Sequence, residues 1–365
     1  SGFINVNKDS SAGILAKKAK VTNTGTGTTG GIILSAIKTA GIIGNAGSLV
    51  SNAGVIKTQG VTPATDTDGL VGIALSASEG TNESTGKITT SGDLAHAVVV
   101  KNPGMTFEHK GTIEVDSPTS NKGNIGVFSD GKAKVNFYNN SNVFVKANSV
   151  GIYSADKDKF NATFKNLGTL NIKIGADSTF AYLDGNATTT LKEFFNTKNS
   201  KNEPITVNIS ESMGANSSLV YANDGAKALL DADYTITKGD ANASTIALLA
   251  TNQSSVTVDT GKTLTTNTNV GLIATKGEGL SGAESEAKNS GTIVSTRADK
   301  GIGIYAKAAK GNNIGTITMN NKNAVGMLGV LASTLINTNQ IGLGGVSSAG
   351  MYGEDSDLTN SGSTS

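Results

Sequence analysis

The chain has 365 residues, enough for two ordinary domains or one elongated array, and Gly fills 46 positions, about twice its usual share. A net charge of +1, with Arg297 the lone arginine among 30 basic residues, argues against a phosphate-binding surface, so no nucleic-acid partner is expected. With no cysteine there is neither a disulfide framework nor a thiolate metal site, and apolar runs such as "IALLA" are far too short to span a bilayer, so direct membrane insertion of this segment is not expected.

Two short motifs recur along the chain. "AGILA" at Gly13 opens a series that continues with "VGIAL" at Gly72, "IGVFS" at Gly126, "VGIYS" at Gly151 and "VGLIA" at Gly271. Looser copies are "HAVVV", "FAYLD", "SLVYA" and "TIALL". A second series, Asn-x-Gly-x-Ile, starts at "NAGVI" and passes through "HKGTI" at His109 and "NLGTL" at Asn166. Both become regular at the C-terminal end, with Asn289, Asn313, Asn337 and Asn360 in the one and Gly303, Gly326 and Gly350 in the other. The first residues, "SGFINV", and the last, "NSGSTS", sit in mid-pattern, so the chain is expected to be part of something longer.

Each copy alternates small or apolar with polar residues over a few positions, which is strand periodicity, while helical stripes are nearly absent. A unit of about 24 residues cannot close its own core and must stack on its neighbours. Three short strands joined by tight corners fit that length. The reading is therefore an all-β parallel β-helix of about fourteen rungs, on the order of 65 to 70 Å long at the spacing between paired strands. Ile293, Ile317 and Ile341 are expected to form an inward ladder. Gly291, Gly315 and Asn339 are expected at a corner with φ > 0, a conformation favourable to Gly and tolerated by Asn. A sandwich is the rival fold, but it needs no 24-residue register.

The register slips in three places, read as insertions at about 57–69, 184–204 and 275–288 of one continuous β-helix. In the second, Thr190 and Glu193 have the spacing of a capping box, and Leu191, Phe194 and Phe195 share one face of a short helix over 190–198. Insertions are where a solenoid usually carries function. Lys192, Glu193, Phe194, Phe195 and Lys198 are candidate partner contacts, an aromatic pair ringed by charge, and Glu278 and Glu284 of the third insertion are further candidates. The alternative is that the rings pack on the rod and the acidic loop is solvated.

Catalytic and cofactor patterns are weak. "GTGTTG" matches a dinucleotide fingerprint, yet no acidic residue follows until Asp66, and corner geometry explains the glycines. His96 and His109, the two histidines, make a poor metal site, and His109 reads as the Asn of its rung. Paired aspartates at 66/68, 156/158, 231/233 and 355/357 read as solvated turns. No cofactor, metal or catalytic residue is expected.

The tandem "NSGTI…GIGIYAK…NNIGTITM…AVGMLG" resembles passenger-domain sequence of the very large fusobacterial type Va autotransporter adhesins, among them the arginine-inhibitable adhesin and its galactose-binding, immune-receptor-binding relatives. The likeness is strong over roughly 259–365 and 109–183 and looser before 100. It implies a right-handed β-helix displayed at the bacterial surface, outside the outer membrane. It also implies adhesion to a host glycoprotein, immune receptor or glycan, or to other bacteria. A spacer stalk carrying a distal tip and a carbohydrate-active β-helix enzyme are the rival functions.

Overall fold

The structure, a computed structural model, describes the chain apart from residues 1, 27–29, 61–68, 103, 118–122, 131–132, 139, 155–161, 166–169, 186–187, 191–204, 210–212, 232, 237–243 and 278–283. Every regular element among the described residues is a β-strand, and every described pairing between strands is parallel. The strands stack as a β-solenoid in which each turn supplies one strand to each of three ladders. Complete turns are slightly fewer than the fourteen rungs read from the sequence.

Contacts gather in two compact units, Ser1–Asp156 with Asn161–Ala181, and Tyr182–Ser365 with Lys157–Phe160. In the N-terminal unit the first ladder runs from Phe3–Val6 to Leu170–Ile174, the second from Ala12–Lys17 to Ser149–Ser154, and the third from Lys20–Asn23 to Ala162–Lys165. In the C-terminal unit the first runs from Ile205–Ile209 to Ser363–Thr364, the second from Ser218–Ala222 to Ala349–Glu354, and the third from Thr188–Thr190 to Asp357–Asn360.

First- and third-ladder strands alternate outward and inward residues, as the two-residue period of a strand requires. Ile293, Ile317 and Ile341 pair in register and are buried, as do Ile56, Ile88 and Ile113 in the N-terminal unit. Each such side chain contributes about 1.5–3 kcal/mol by leaving water.

Second-ladder strands break the alternation, because two consecutive residues point inward. The first of the two is the repeated glycine. A Cβ on Gly303 would lie 2.8 Å from Cγ2 of Ile317 and 2.6 Å from the carbonyl of Gly326, and one on Gly72 would lie 2.9 Å from Cγ2 of Ile88. The glycine recurs because an isoleucine of the first ladder sits on its Cα. Pairing skips this residue, from Ile302–Val325 directly to Ile304–Met327.

The Asn-x-Gly corner differs from the sequence reading. Gly291, Gly315 and Asn339 do lie between third- and first-ladder strands, but none has a positive φ. Glycine is required there because the neighbouring rung is too close. A Cβ on Gly291 would strike the carbonyls of Asp259 and Lys262, and one on Gly315 would strike that of Gly291. Left-handed residues gather mainly in the other two corners, among them Lys300 (φ 55°) and Ala308 (φ 48°), with Asn140 (φ 63°) and Gly261 (φ 70°) at third-to-first corners of other rungs. The first two are held by bonds across rungs, with Lys300 N–H donating to the Lys322 carbonyl at 3.0 Å and Ala308 N–H to that of Val330 at 3.1 Å.

The asparagines of this motif face inward and, up to the exposed Asn360 of the last rung, form buried amide ladders. Nδ2 of Asn289 donates to Oδ1 of Asn313 (2.8 Å), Asn313 to Asn337 (2.7 Å) and Asn337 to Asn360 (2.7 Å). In the N-terminal unit Asn23 donates to Asn52 and Asn52 to Asn82, both at 2.8 Å, and Asn82 meets Nδ1 of His109 at 3.3 Å. His109 thus fills the asparagine position of its rung, with Phe137 next in register.

The insertions are shorter than the sequence suggests. Lys57 and Thr58 belong to strand Val55–Thr58, and residues 61–68 lie outside the described residues. Thr190 ends strand Thr188–Thr190, where a helix start was expected, and the rest of that helix, 191–198, lies outside the described residues. Glu286–Asn289 is a strand with Ala287 wholly buried between Val256 and Gly311 in register, so the third insertion ends before Glu286.

Candidate binding surface

The broken alternation of the second ladder fixes what its outer face presents. After the two inward residues, the next side chain points out, and in the motif copies it is often aromatic: Gly126-Val-Phe128, Gly151-Ile-Tyr153, Gly303-Ile-Tyr305 and Gly350-Met-Tyr352. Tyr182 and Tyr221 take the same place in strands with one burial pattern. Five of the seven tyrosines of the chain therefore share a single outward position of one ladder.

In the N-terminal unit the register through this position is Ala74, Val99, Phe128 and Tyr153. Phe128 and Tyr153 stack with centroids 5.4 Å apart and planes 5° apart, and the His96 ring lies 6.1 Å from Phe128 at 14°. In the C-terminal unit the register is Tyr221, Leu249, Ile273, Tyr305, Leu328 and Tyr352. Tyr182 meets Tyr221 edge-on at 5.0 Å, and the Tyr221 hydroxyl accepts from Thr251 Oγ1 at 3.1 Å. Tyr352 is 52% exposed, and the other four tyrosines are half-buried by their ladder neighbours. Burial pushes the Tyr305 phenol up and holds His96 down at about 4, so both are neutral near pH 7. The result in each unit is a neutral, largely apolar strip with phenolic edges.

A charged cluster occupies other faces of the N-terminal unit. Glu114 bridges Lys87 at 3.0 Å and Lys146 at 2.6 Å. Burial works to raise its pKa, but the hydrogen bonds from Lys146 and Lys87 outweigh it and hold the carboxyl below its usual range. Glu108 accepts from the Tyr138 hydroxyl at 2.7 Å and pairs with Lys110 at 3.1 Å. These groups satisfy one another and present no convergent catalytic pair. Among the described residues no group of three or more His, Asp or Glu side chains is placed to hold a metal ion.

Of the sequence-predicted contacts, Lys192, Glu193, Phe194, Phe195, Lys198 and Glu278 lie outside the described residues. Glu284 is exposed just before strand Glu286–Asn289, on the corner between second and third ladders. Asp231, read as part of a solvated turn, is buried at 9% exposure, whereas Asp357 is exposed and Asp233 accepts from the Thr263 N–H at 2.8 Å. The tyrosine strip was missed, although Gly-x-aromatic spells it out. Telling outward from inward there requires the double inward step at glycine. No family model, curated protein or solved structure matches the chain.

Proposed function

We propose that this chain is part of a bacterial cell-surface adhesin, an extracellular β-solenoid that binds by non-covalent contact and catalyses nothing. Its partners are host-cell glycoproteins, immune receptors or glycans, or the surfaces of other bacteria, and the outer face of the second ladder contributes to the contact. The observation that carries the reading is the recurrence of outward aromatics at one position of the second ladder, Phe128 and Tyr153 in the N-terminal unit and Tyr182, Tyr221, Tyr305 and Tyr352 in the C-terminal unit. A solenoid needs its inward ladders for stability, but outward positions are free to be Thr, Asn or Lys. Tyrosine joins a large rigid apolar face to a polar tip and is enriched at the centres of protein interfaces. The resemblance to autotransporter passengers supports the surface location.

The test is a binding screen of the chain against host receptors and glycans, followed by Tyr182→Ser with Tyr221→Ser in one variant. Binding is expected to fall more than ten-fold with the far-UV circular dichroism unchanged. Full binding by that variant, with loss on truncating Phe194 and Phe195, would move the site to the 184–204 excursion.

A further inference from the structure

His109 is wholly buried and held at both ring nitrogens. Nε2 lies 3.1 Å from the carbonyl of Asn142, which can only accept, so Nε2 carries the proton. Nδ1 is then a bare acceptor, facing the amide Nδ2 of Asn82 at 3.3 Å. The orientation of that amide is fixed on its other sides. Its oxygen accepts from Asn52, and its two N–H groups are shared among His109 Nδ1 and the carbonyls of Gly86 (3.2 Å) and Thr112 (3.3 Å). Flipping Asn82 would set its oxygen against both carbonyls and its NH2 against that of Asn52. The polarity of the whole row, Asn23 to Asn52 to Asn82 to His109, therefore ends on a nitrogen that must stay unprotonated.

We propose that His109 is an acid-sensitive latch, whose protonation at Nδ1 sets two N–H groups against each other and opens the third ladder of the N-terminal unit around Asn82 and His109. The step takes one proton from solvent and breaks the Asn82–His109 hydrogen bond without covalent change. Among the described residues no anion is placed to compensate for the new charge. Among the elements packed round the ring, Glu108 is occupied by Lys110 and the Tyr138 hydroxyl, Glu83 by Ser51 and Lys110, and Glu114 by Lys87 and Lys146. Glu79 and Lys134 are exposed, and the Phe137 ring stands edge-on 5.5 Å away. The geometry agrees with a pKa held down at about 4 by burial, against the lesser raising effect of the Asn142 carbonyl.

A buried base with a depressed pKa contributes fully above its ordinary value of 6.5, and its contribution is lost as pH falls from there towards 4. One proton changes the closed-to-open ratio by about ten-fold per pH unit, or on the order of 300-fold across that window. The C-terminal unit provides an internal control, because its amide row of Asn289, Asn313, Asn337 and Asn360 contains no titratable group.

Hydrogen exchange of the full chain at about pH 7 and about pH 4.5, corrected for intrinsic rates, tests the latch. Peptides over Glu79–Asn82 and Thr106–His109 should lose protection in acid far more than those over Asn289 and Asn313. His109→Asn, which continues the amide row, should abolish the excess loss, and His96→Gln should keep it. Equal acid loss in wild type and His109→Asn would overturn the proposal. Should that variant fail to fold, the wild-type imidazole is followed by NMR. Proton uptake coinciding with the loss of protection supports the latch, and uptake near the ordinary value with the strands still closed refutes it.

Discussion

In the C-terminal unit the buried amides of Asn289, Asn313 and Asn337 each donate to the next asparagine and also to a main-chain carbonyl, those of Thr316, Gln340 and Asn339. The N-terminal row runs from Asn23 to Asn52 to Asn82, with Asn23 and Asn82 also reaching main-chain carbonyls, then meets a histidine. Both rows stop where an apolar side chain takes the next place in register, Phe137 after His109 and Val258 before Asn289. At the second of these ends the Oδ1 of Asn289 is buried without a hydrogen-bond partner. Interior amides of a row are thus doubly satisfied, while its ends carry either an orphaned atom or a residue of different chemistry. Repetition stabilises the middle, and variation collects at the ends.

The largest effect should come from the corner that both units share. Gly315→Val places a side chain against the carbonyl of Gly291, and backbone on that side has no room to retreat. Overpacking of this kind costs about 3 kcal/mol or more where the neighbour is main chain. Chemical denaturation should show loss of the cooperative transition of the C-terminal unit. A loss under about 1 kcal/mol would mean that the corner can widen, and that the glycine is there for another reason.

Row middle against row end is the sharper contrast. Asn313→Ala removes the acceptor of Asn289 and the donor to Asn337 and to the Gln340 carbonyl, leaving buried groups unpaired at a cost of about 2–4 kcal/mol. Asn289→Ala also deletes an oxygen that was already unpartnered, so it should cost less, about 1–2 kcal/mol. Equal losses in urea denaturation would show that the end of the row is as well satisfied as its middle.

The period, the inward isoleucines and the place of His109 in the asparagine series are readable from the sequence, because each is a property of residues recurring at one spacing. The role of Asn-x-Gly is not, since both residues are good left-handed formers and the motif reads as a turn. Crowding between Gly315 and the Gly291 carbonyl is a relation between rungs, 24 residues apart in the chain. The true left-handed corners gave a mixed signal, since Asn148, Asp224, Asn252 and Asn323 suit that conformation and other residues there do not. Lys18, Ala77, Lys300 and Ala308 are poor at that conformation, and cross-rung hydrogen bonds such as Lys300 to Lys322 hold them there. Local preference pointed to the wrong corner because stacking overrides it. The tyrosine strip was hidden for a related reason. A strict two-residue alternation makes Gly-Ile-Tyr read in-out-in, whereas the crowded glycine turns it to in-in-out.

The smallest effect separates the outer faces of the two units. Glu114 is 17% exposed and reaches two lysines, at 3.0 and 2.6 Å, so its charge is shielded from water and doubly compensated. Its depressed pKa means that this stabilisation is present above the ordinary carboxyl value of 4.5 and is lost as pH falls through the lower folded value. Glu286 reaches one lysine, Lys310 at 3.7 Å, and accepts a long hydrogen bond from Asn312 Nδ2 at 3.4 Å, with the side chains of Glu286 and Lys310 about a third exposed. Coulomb attraction there is screened, and the cost of ordering two long side chains offsets it. Glu114→Gln should therefore cost about 0.5–1 kcal/mol at neutral pH, less in high salt, and nothing in strong acid, whereas Glu286→Gln should fall within about 0.3 kcal/mol of wild type. Thermal denaturation of both variants at low and high ionic strength measures the difference. If Glu286→Gln were the more damaging, strand Glu286–Asn289 would owe its place to its ion pair, and the buried methyl of Ala287 would not be what holds it.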